Sequence, residues 1–268
     1  MAATVTDKST ASLAAATWFR DRAVTLTCWF YFTLGFVFMY GFRYLVACFS
    51  PGREEKFQYL THLFYKRFFR ILRRLAPSHR WMIDEEIQRI SSSIILCNHL
   101  SYLDPLLLIS LLPRQKTIVK TVFFKVPVFG RLIRYMGYFP ADSHGRYGSI
   151  MLEQVEDMDA FLSSGGNLFI FPEGTRSRTG TVQPLNRGAL KIARMCRAPI
   201  RVLYLAGTEK LFEPGRFFFH TTIDNSISLQ IVDQIDAATA RDLSLPELEE
   251  RVRSALLRQN QPQTENVS

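Results

Sequence analysis

Twenty consecutive residues, Ala23 to Phe42, carry no charge, and an arginine stands at each end, Arg22 and Arg43. A helix of that length rises about 30 Å, the thickness of a bilayer's hydrocarbon core. Trp29, Phe30, Tyr31, Phe32, Phe36, Phe38, Tyr40 and Phe42 leave it no polar face, so membrane insertion is expected over a buried core helix. The run does not distinguish a span from a re-entrant segment. If it spans, eight cations follow it, at Arg43, Arg53, Lys56, Lys66, Arg67, Arg70, Arg73 and Arg74, whereas Lys8, Arg20 and Arg22 precede it. The positive-inside rule then sets the following domain on the cytoplasmic side of the membrane. Leu45-Val46-Ala47-Cys48 imitates a lipoprotein cleavage box, but the apolar run is too long for a signal-peptide core and Arg43 interrupts it.

Residues 1–22 are polar, small and unpatterned and read as a mobile tail. After Pro51-Gly52, residues 53–76 place Phe57, Leu60, Phe64, Phe68, Ile71 and Leu75 three or four apart, one helical stripe with cations on the remaining arc. Such a helix is expected to lie in a lipid interface; packing on its own domain with a solvated basic face is the alternative. Residues 23–76 are therefore assigned to membrane-inserted and amphipathic helices, 77–260 to a globular domain and 261–268 to a disordered tail. The net charge of +9 calls for an anionic partner. Most of the excess sits beside the apolar run, which favours a phospholipid surface and argues against nucleic acid. Four cysteines without metal-ligand spacing exclude a disulfide scaffold, and no metal is expected.

Within the domain, apolar runs at 93–97, 117–119, 167–171, 200–206 and 227–232 read as strands. Helical patterns lie between them near 105–112, 127–135, 147–164, 185–196 and 246–258. The alternation predicts an α/β fold: a mixed, largely parallel sheet flanked by helices, with the N-terminal membrane-associated helices attached.

Two motifs end strands, where α/β folds open their clefts. The first is Cys97-Asn98-His99-Leu100-Ser101-Tyr102-Leu103-Asp104-Pro105. His99 follows its strand directly, and Asp104 before Pro105 has the signature of a helix cap. A carboxylate on one imidazole nitrogen fixes the tautomer and leaves the other nitrogen as a base. Alone the spacing is weak, arising by chance in roughly one such sequence in five. The second is Phe171-Pro172-Glu173-Gly174-Thr175-Arg176-Ser177, closing the strand Asn167-Leu168-Phe169-Ile170-Phe171. Gly174 lets backbone approach a ligand, Thr175 and Ser177 offer hydroxyl donors, and Arg176 presents a fork for phosphate. Glu173 is expected to accept from a hydroxyl or to orient Arg176. Cys97 beside His99 suggests a thiol nucleophile, but its place in an apolar strand reads as core. No serine elbow, P-loop or H-E-x-x-H is present.

Together the motifs resemble the glycerol-phosphate and lysophospholipid acyltransferase family, marked by Asn-His-x4-Asp and, about seventy residues on, Phe-Pro-Glu-Gly-Thr-Arg-Ser. The resemblance covers roughly 81–232. It implies a membrane-bound O-acyltransferase carrying an acyl group from coenzyme A or acyl carrier protein to a lysolipid hydroxyl, most simply 1-acyl-glycerol-3-phosphate giving phosphatidic acid. No bound cofactor is implied, the acyl donor being a substrate. His99 and Asp104 take the catalytic places, and Asn98, Glu173, Gly174, Thr175 and Arg176 those that bind the acceptor. Two family cations are missing. Ser143 follows Gly137-Tyr138-Phe139-Pro140-Ala141-Asp142 where an arginine is usual, with Arg146 near enough to substitute. Asn186 stands where a lysine is usual, with Arg187 beside it. These departures leave open another acceptor, such as a lyso-ornithine lipid, a polyene or a glycolipid. An acyl hydrolase and a non-enzymatic lipid-binding protein are more distant alternatives.

Overall fold

The computed structural model describes residues 3–141 and 149–259; Ser143, Arg146 and the 261–268 tail lie outside them. The first helix, α1 (Ala3–Phe30), takes in most of the segment expected to be a mobile tail. Contacts hold its second half in place. Asp21 Oδ1 accepts from Thr221 N and Oγ1 at 2.8 and 2.6 Å, and Thr25 Oγ1 accepts from Phe219 N at 2.9 Å. The helix widens to π geometry over Tyr31–Tyr40 and resumes as α2 (Gly41–Cys48). The wider turn keeps Tyr31, Phe36, Tyr40 and Tyr44, four or five residues apart, on the side of α3 (Arg53–Leu75).

The apolar stripe of α3 does not face outward as expected. Phe57, Phe64 and Phe68 are buried against the aromatics of α1 and α2, and His62, Phe69 and Leu72 are buried as well. On this side His62 Nδ1 meets Ile109 O of α4 (Leu103–Leu111) at 3.0 Å. Lys66, Arg70, Arg73 and Arg74 stay exposed. The reason is a competing apolar partner within the chain: the facing aromatics of α1 and α2 cover the stripe before lipid can. What remains open is the outer face of the long helix, where Leu26, Phe30, Val37, Phe38, Phe42 and Phe49 are exposed. Ala14–Cys48 is, among the described residues, the one helix long and apolar enough to cross a membrane.

The domain is built on seven strands, β1 (His79–Ile83), β2 (Ile94–Cys97), β3 (Gln115–Lys120), β4 (Phe139–Ala141), β5 (Asn167–Ile170), β6 (Ile200–Ala206) and β7 (Asn225–Ile235). Their order is β1-β7-β6-β2-β5-β3-β4, parallel throughout except where β7 runs antiparallel to β6. Side chains alternate across the sheet. Ile95, Cys97, Phe169, Leu203 and Leu205 join the core shared with α3 and α4. Ile94, Leu96, Leu168, Ile170, Ile200 and Val202 join α6 (Ser149–Ser163), α7 (Arg187–Met195) and α10 (Leu245–Gln259) on the other face. Short helices α5 (Phe129–Tyr135), α8 (Thr208–Leu211) and α9 (Ala237–Asp242) complete the chain. The mixed, largely parallel sheet flanked by helices is the one the alternation predicts. Because β2, β5, β3 and β6 point the same way, the segments that leave them emerge at one end of the sheet.

Candidate active site

β2 and β5 are hydrogen-bonded neighbours, and their outgoing turns bring both motifs together. His99 Nδ1 donates to Asp104 Oδ2 at 2.9 Å, leaving Nε2 as the free ring nitrogen. Asp104 sits inside the first turn of α4 rather than at its cap, and its carboxylate folds back over the preceding turn. Oδ2 also accepts from Leu100 N and Ser101 N, at 2.5 and 2.7 Å, while Oδ1 accepts from Thr208 Oγ1 at 2.6 Å. The side chain of Asp104 is 0% exposed and that of His99 17%. Four donors offset the loss of water around this carboxylate, and a helix N-terminus adds favourable dipole. Phe171 stacks on the imidazole, ring centroids 4.2 Å apart.

The second motif grips the main chain of His99. Glu173 Oε1 accepts from His99 N at 3.1 Å, Oε2 accepts from Gln183 N at 3.2 Å, and Ser177 N donates to His99 O at 2.8 Å. Glu173 was expected to bind a hydroxyl or orient Arg176; instead both its oxygens brace backbone, and burial raises its pKa. Asn98, expected at the substrate, is also turned inward. Its Nδ2 donates to Leu205 O at 2.8 Å and its Oδ1 accepts from Leu205 N at 2.7 Å, latching β2 to β6. Arg187 is not brought to the cluster: 75% exposed, it pairs through Nε with Glu249 of α10 at 3.2 Å. Asn186 caps α7 by accepting from Gly188 N at 2.8 Å. Arg146 falls outside the described residues.

Arg176, by contrast, is poised. Its guanidinium carbon lies 3.8 Å from the centroid of the Tyr102 ring, and its buried Nε and Nη1 have no hydrogen-bond partner in the protein. A cation stacked on an aromatic face with donors in hand suits an oxyanion such as phosphate. Gly174, at φ 68°, and Thr175 are exposed at the same turn. Cys97 is core as read: it is fully buried, and burial raises its pKa well above the usual thiol value. No group of His, Cys, Asp and Glu among the described residues could hold a metal ion.

Three participants were not singled out from the sequence. Tyr102 and Phe171 lie inside the motifs, and their aromatic character beside Arg176 and His99 was the available signal. Thr208 lies about a hundred residues from Asp104 and carries no local signal.

The arrangement has relatives. Residues 80–205 match the family described as Acyltransferase. A chloroplastic 1-acyl-sn-glycerol-3-phosphate acyltransferase of Brassica napus is 33% identical over 122 residues, 46% of this chain and 35% of that protein. The 1-acyl-sn-glycerol-3-phosphate acyltransferase of Saccharomyces cerevisiae is 24% identical over 81% of this chain and 71% of its own length. The crystal structure of the 1-acyl-sn-glycerophosphate acyltransferase PlsC from Thermotoga maritima superposes with a TM-score of 0.70 at 25% identity, covering 91% of this chain and 95% of that one. The match spans about a third of the Brassica protein's length.

Proposed function

We propose that this chain, whose residues 80–205 match the family described as Acyltransferase, transfers an acyl group from a thioester to the hydroxyl of a lysolipid, 1-acyl-glycerol-3-phosphate in the first instance. The observation that carries this reading is the meeting, at one sheet end, of the His99–Asp104 couple with Arg176, whose Nε and Nη1 have no hydrogen-bond partner in the protein. His99 Nε2 takes the proton of the acceptor hydroxyl as its oxygen attacks the thioester carbonyl. The tetrahedral oxyanion collapses, the carbon–sulfur bond breaks, and the leaving thiolate takes the proton from the imidazolium. Ester and thiol result, and no enzyme nucleophile is needed. Arg176 binds the acceptor's phosphate and so sets its hydroxyl against His99.

Coenzyme A or acyl carrier protein brings the acyl group. The outer face of the α1–α2 helix, where Leu26, Phe30, Val37, Phe38 and Phe42 are exposed, supports seating at a membrane, because lifting a lysolipid tail of about fifteen methylenes into water costs on the order of 12 kcal/mol. With its other face covered by α3, this helix is better suited to one leaflet than to a crossing. Were the run instead to cross the membrane, the positive-inside rule would set the active site on the cytoplasmic side of the inner membrane.

The test is acyl transfer to 1-acyl-glycerol-3-phosphate in detergent micelles, with acyl-CoA and acyl carrier protein donors compared. His99→Ala should lower kcat by about 10²–10⁴, and undiminished activity overturns the mechanism. A panel of lyso-acceptors with and without phosphate, lyso-ornithine lipid included, reads whether Arg176 selects phosphate.

A further inference from the structure

Beyond β3 the chain forms a short 3-10 turn, Thr121–Lys125, and then α5, and this segment shows its apolar side chains to the outside. Val122, Phe123, Val126, Val128 and Phe129 are all exposed, Val128 at 65%. A single exposed apolar residue needs no explanation, but five within eight positions do. The segment is also built rather than loose. Gly130 N donates to Val126 O at 2.7 Å, Leu132 N to Val128 O at 2.9 Å, Arg134 Nη2 to Phe124 O at 2.6 Å and Thr121 Oγ1 to Ala141 O at 2.7 Å. Gly130 lies so close to the Phe124 carbonyl that a side chain there would collide with it. Val128 has φ 63°, a conformation strongly disfavoured for a β-branched residue. Holding strained backbone so as to put valine in water has no folding benefit.

Charge adds an independent observation. Between Asp104 and Asp142 the sequence holds no acidic residue. Lys120, Lys125, Arg131 and Arg134 are all exposed around the apolar tip, and none forms a described salt bridge. The position matters too. The segment leaves the carboxyl end of β3, next to β5, whose carboxyl end carries Glu173 and Arg176. On the far side of the site, beyond β2 and β6, exposed Phe217 stacks on Trp29 of α1, ring centroids 5.5 Å apart. The His99 site thus lies between two apolar displays.

We propose that residues 120–131 are a second membrane-docking tip, separate from the α1–α2 helix, whose apolar side chains enter the acyl layer of an anionic bilayer while its cations sit among the headgroups. Docking at both places turns the active-site end of the sheet toward the lipid. That orientation rests on the lysolipid reading above; insertion of the tip does not.

The test uses the full chain with Cys48→Ser, to remove the partly exposed thiol, and an environment-sensitive fluorophore at Val128→Cys. On phosphatidylcholine/phosphatidylglycerol vesicles its emission should shift to the blue and be quenched by lipid-borne quenchers. The same fluorophore at Glu250→Cys, on α10, should stay aqueous. A Val122→Ser/Phe123→Ser/Val128→Ser variant that melts like wild type should transfer acyl groups normally in micelles, but at least tenfold more slowly to an acceptor embedded in vesicles. Two results overturn the proposal. One is unchanged Val128→Cys emission on vesicles that sediment the protein; the other is a blue shift with an acidic acyl carrier protein alone. Absence of acyl transfer by wild type to any lysolipid would remove the proposed function and leave the fluorescence result standing.

Discussion

Asp104 shows how few atoms orient the site. One of its oxygens serves His99 and two backbone amides, the other serves Thr208. Thr208→Val keeps the shape and removes the hydroxyl donor from a buried carboxylate. It should lower stability by about 1–3 kcal/mol, read as a lower Tm, and lower kcat by about tenfold as the carboxylate loses its fixed orientation. Tyr102 makes a separable prediction. Its ring supports Arg176 without touching His99, so Tyr102→Leu should raise KM for a phosphate-bearing acceptor several-fold at nearly unchanged kcat, with Tyr102→Phe restoring it. Glu173 was legible as a site residue but its partners were not: the motif places a carboxylate at the strand end, and only the fold brings the His99 and Gln183 amides to it.

Between elements, polar contacts decide which helix lies where. The Lys116 ammonium, 10% exposed, pairs with Glu54 at 2.8 Å and so ties the start of α3 to β3. Gly137, at φ 69°, packs against that Glu54 carboxylate with no room for a side chain. Gly137→Ala should therefore destabilise by about 2–3 kcal/mol, from left-handed strain plus displacement of the pair, measured by denaturant unfolding. On the other face, Arg251 of α10 grips Asp233 of β7 through two bonds, 2.7 and 3.0 Å, which holds the Asp233 carboxyl below its ordinary pKa. The folded pKa is depressed, so this stabilisation is present above the ordinary aspartate value and is lost as pH falls through the folded value. Arg251→Met should cost about 1 kcal/mol or less at neutral pH, because the pair is partly exposed, and should flatten the acid limb of a stability–pH curve. Among elements, β2, β5 and β6 were readable as mainly apolar runs because most of their side chains are buried on both faces. β1 (His79–Ile83) and β4 (Phe139–Ala141) were missed because short edge strands need little apolar sequence.

At the scale of the molecule, the N-terminal helices and the domain depend on each other. Removing residues 1–50 would uncover Phe64, Tyr65 and Phe68 and delete the Asp21 and Thr25 bonds to the 219–221 segment. Such a truncation should aggregate or lose its cooperative melt in detergent-free buffer, read by size-exclusion chromatography and calorimetry. An intact, monomeric truncated domain would show that the helices are an attachment only. The same dependence explains why the amphipathic stripe of α3 was readable as a stripe while its partner was not: lipid and facing aromatics satisfy the same apolar surface.

The amino-acid sequence by itself determined the apolar helix, the alternation that makes the sheet, and the two motifs at strand ends, since these follow from local patterning and from residue chemistry at short spacing. The tertiary structure alone decided that α3 turns its aromatics inward, that Asn98 and Glu173 hydrogen-bond backbone, that Arg187 faces α10, and that Arg176 Nε and Nη1 have no partner in the protein. Those outcomes depend on which hydrogen-bond and packing partners arrive from tens to more than a hundred residues away. A side chain's chemistry states what it can bind, and only the fold states what has already bound it.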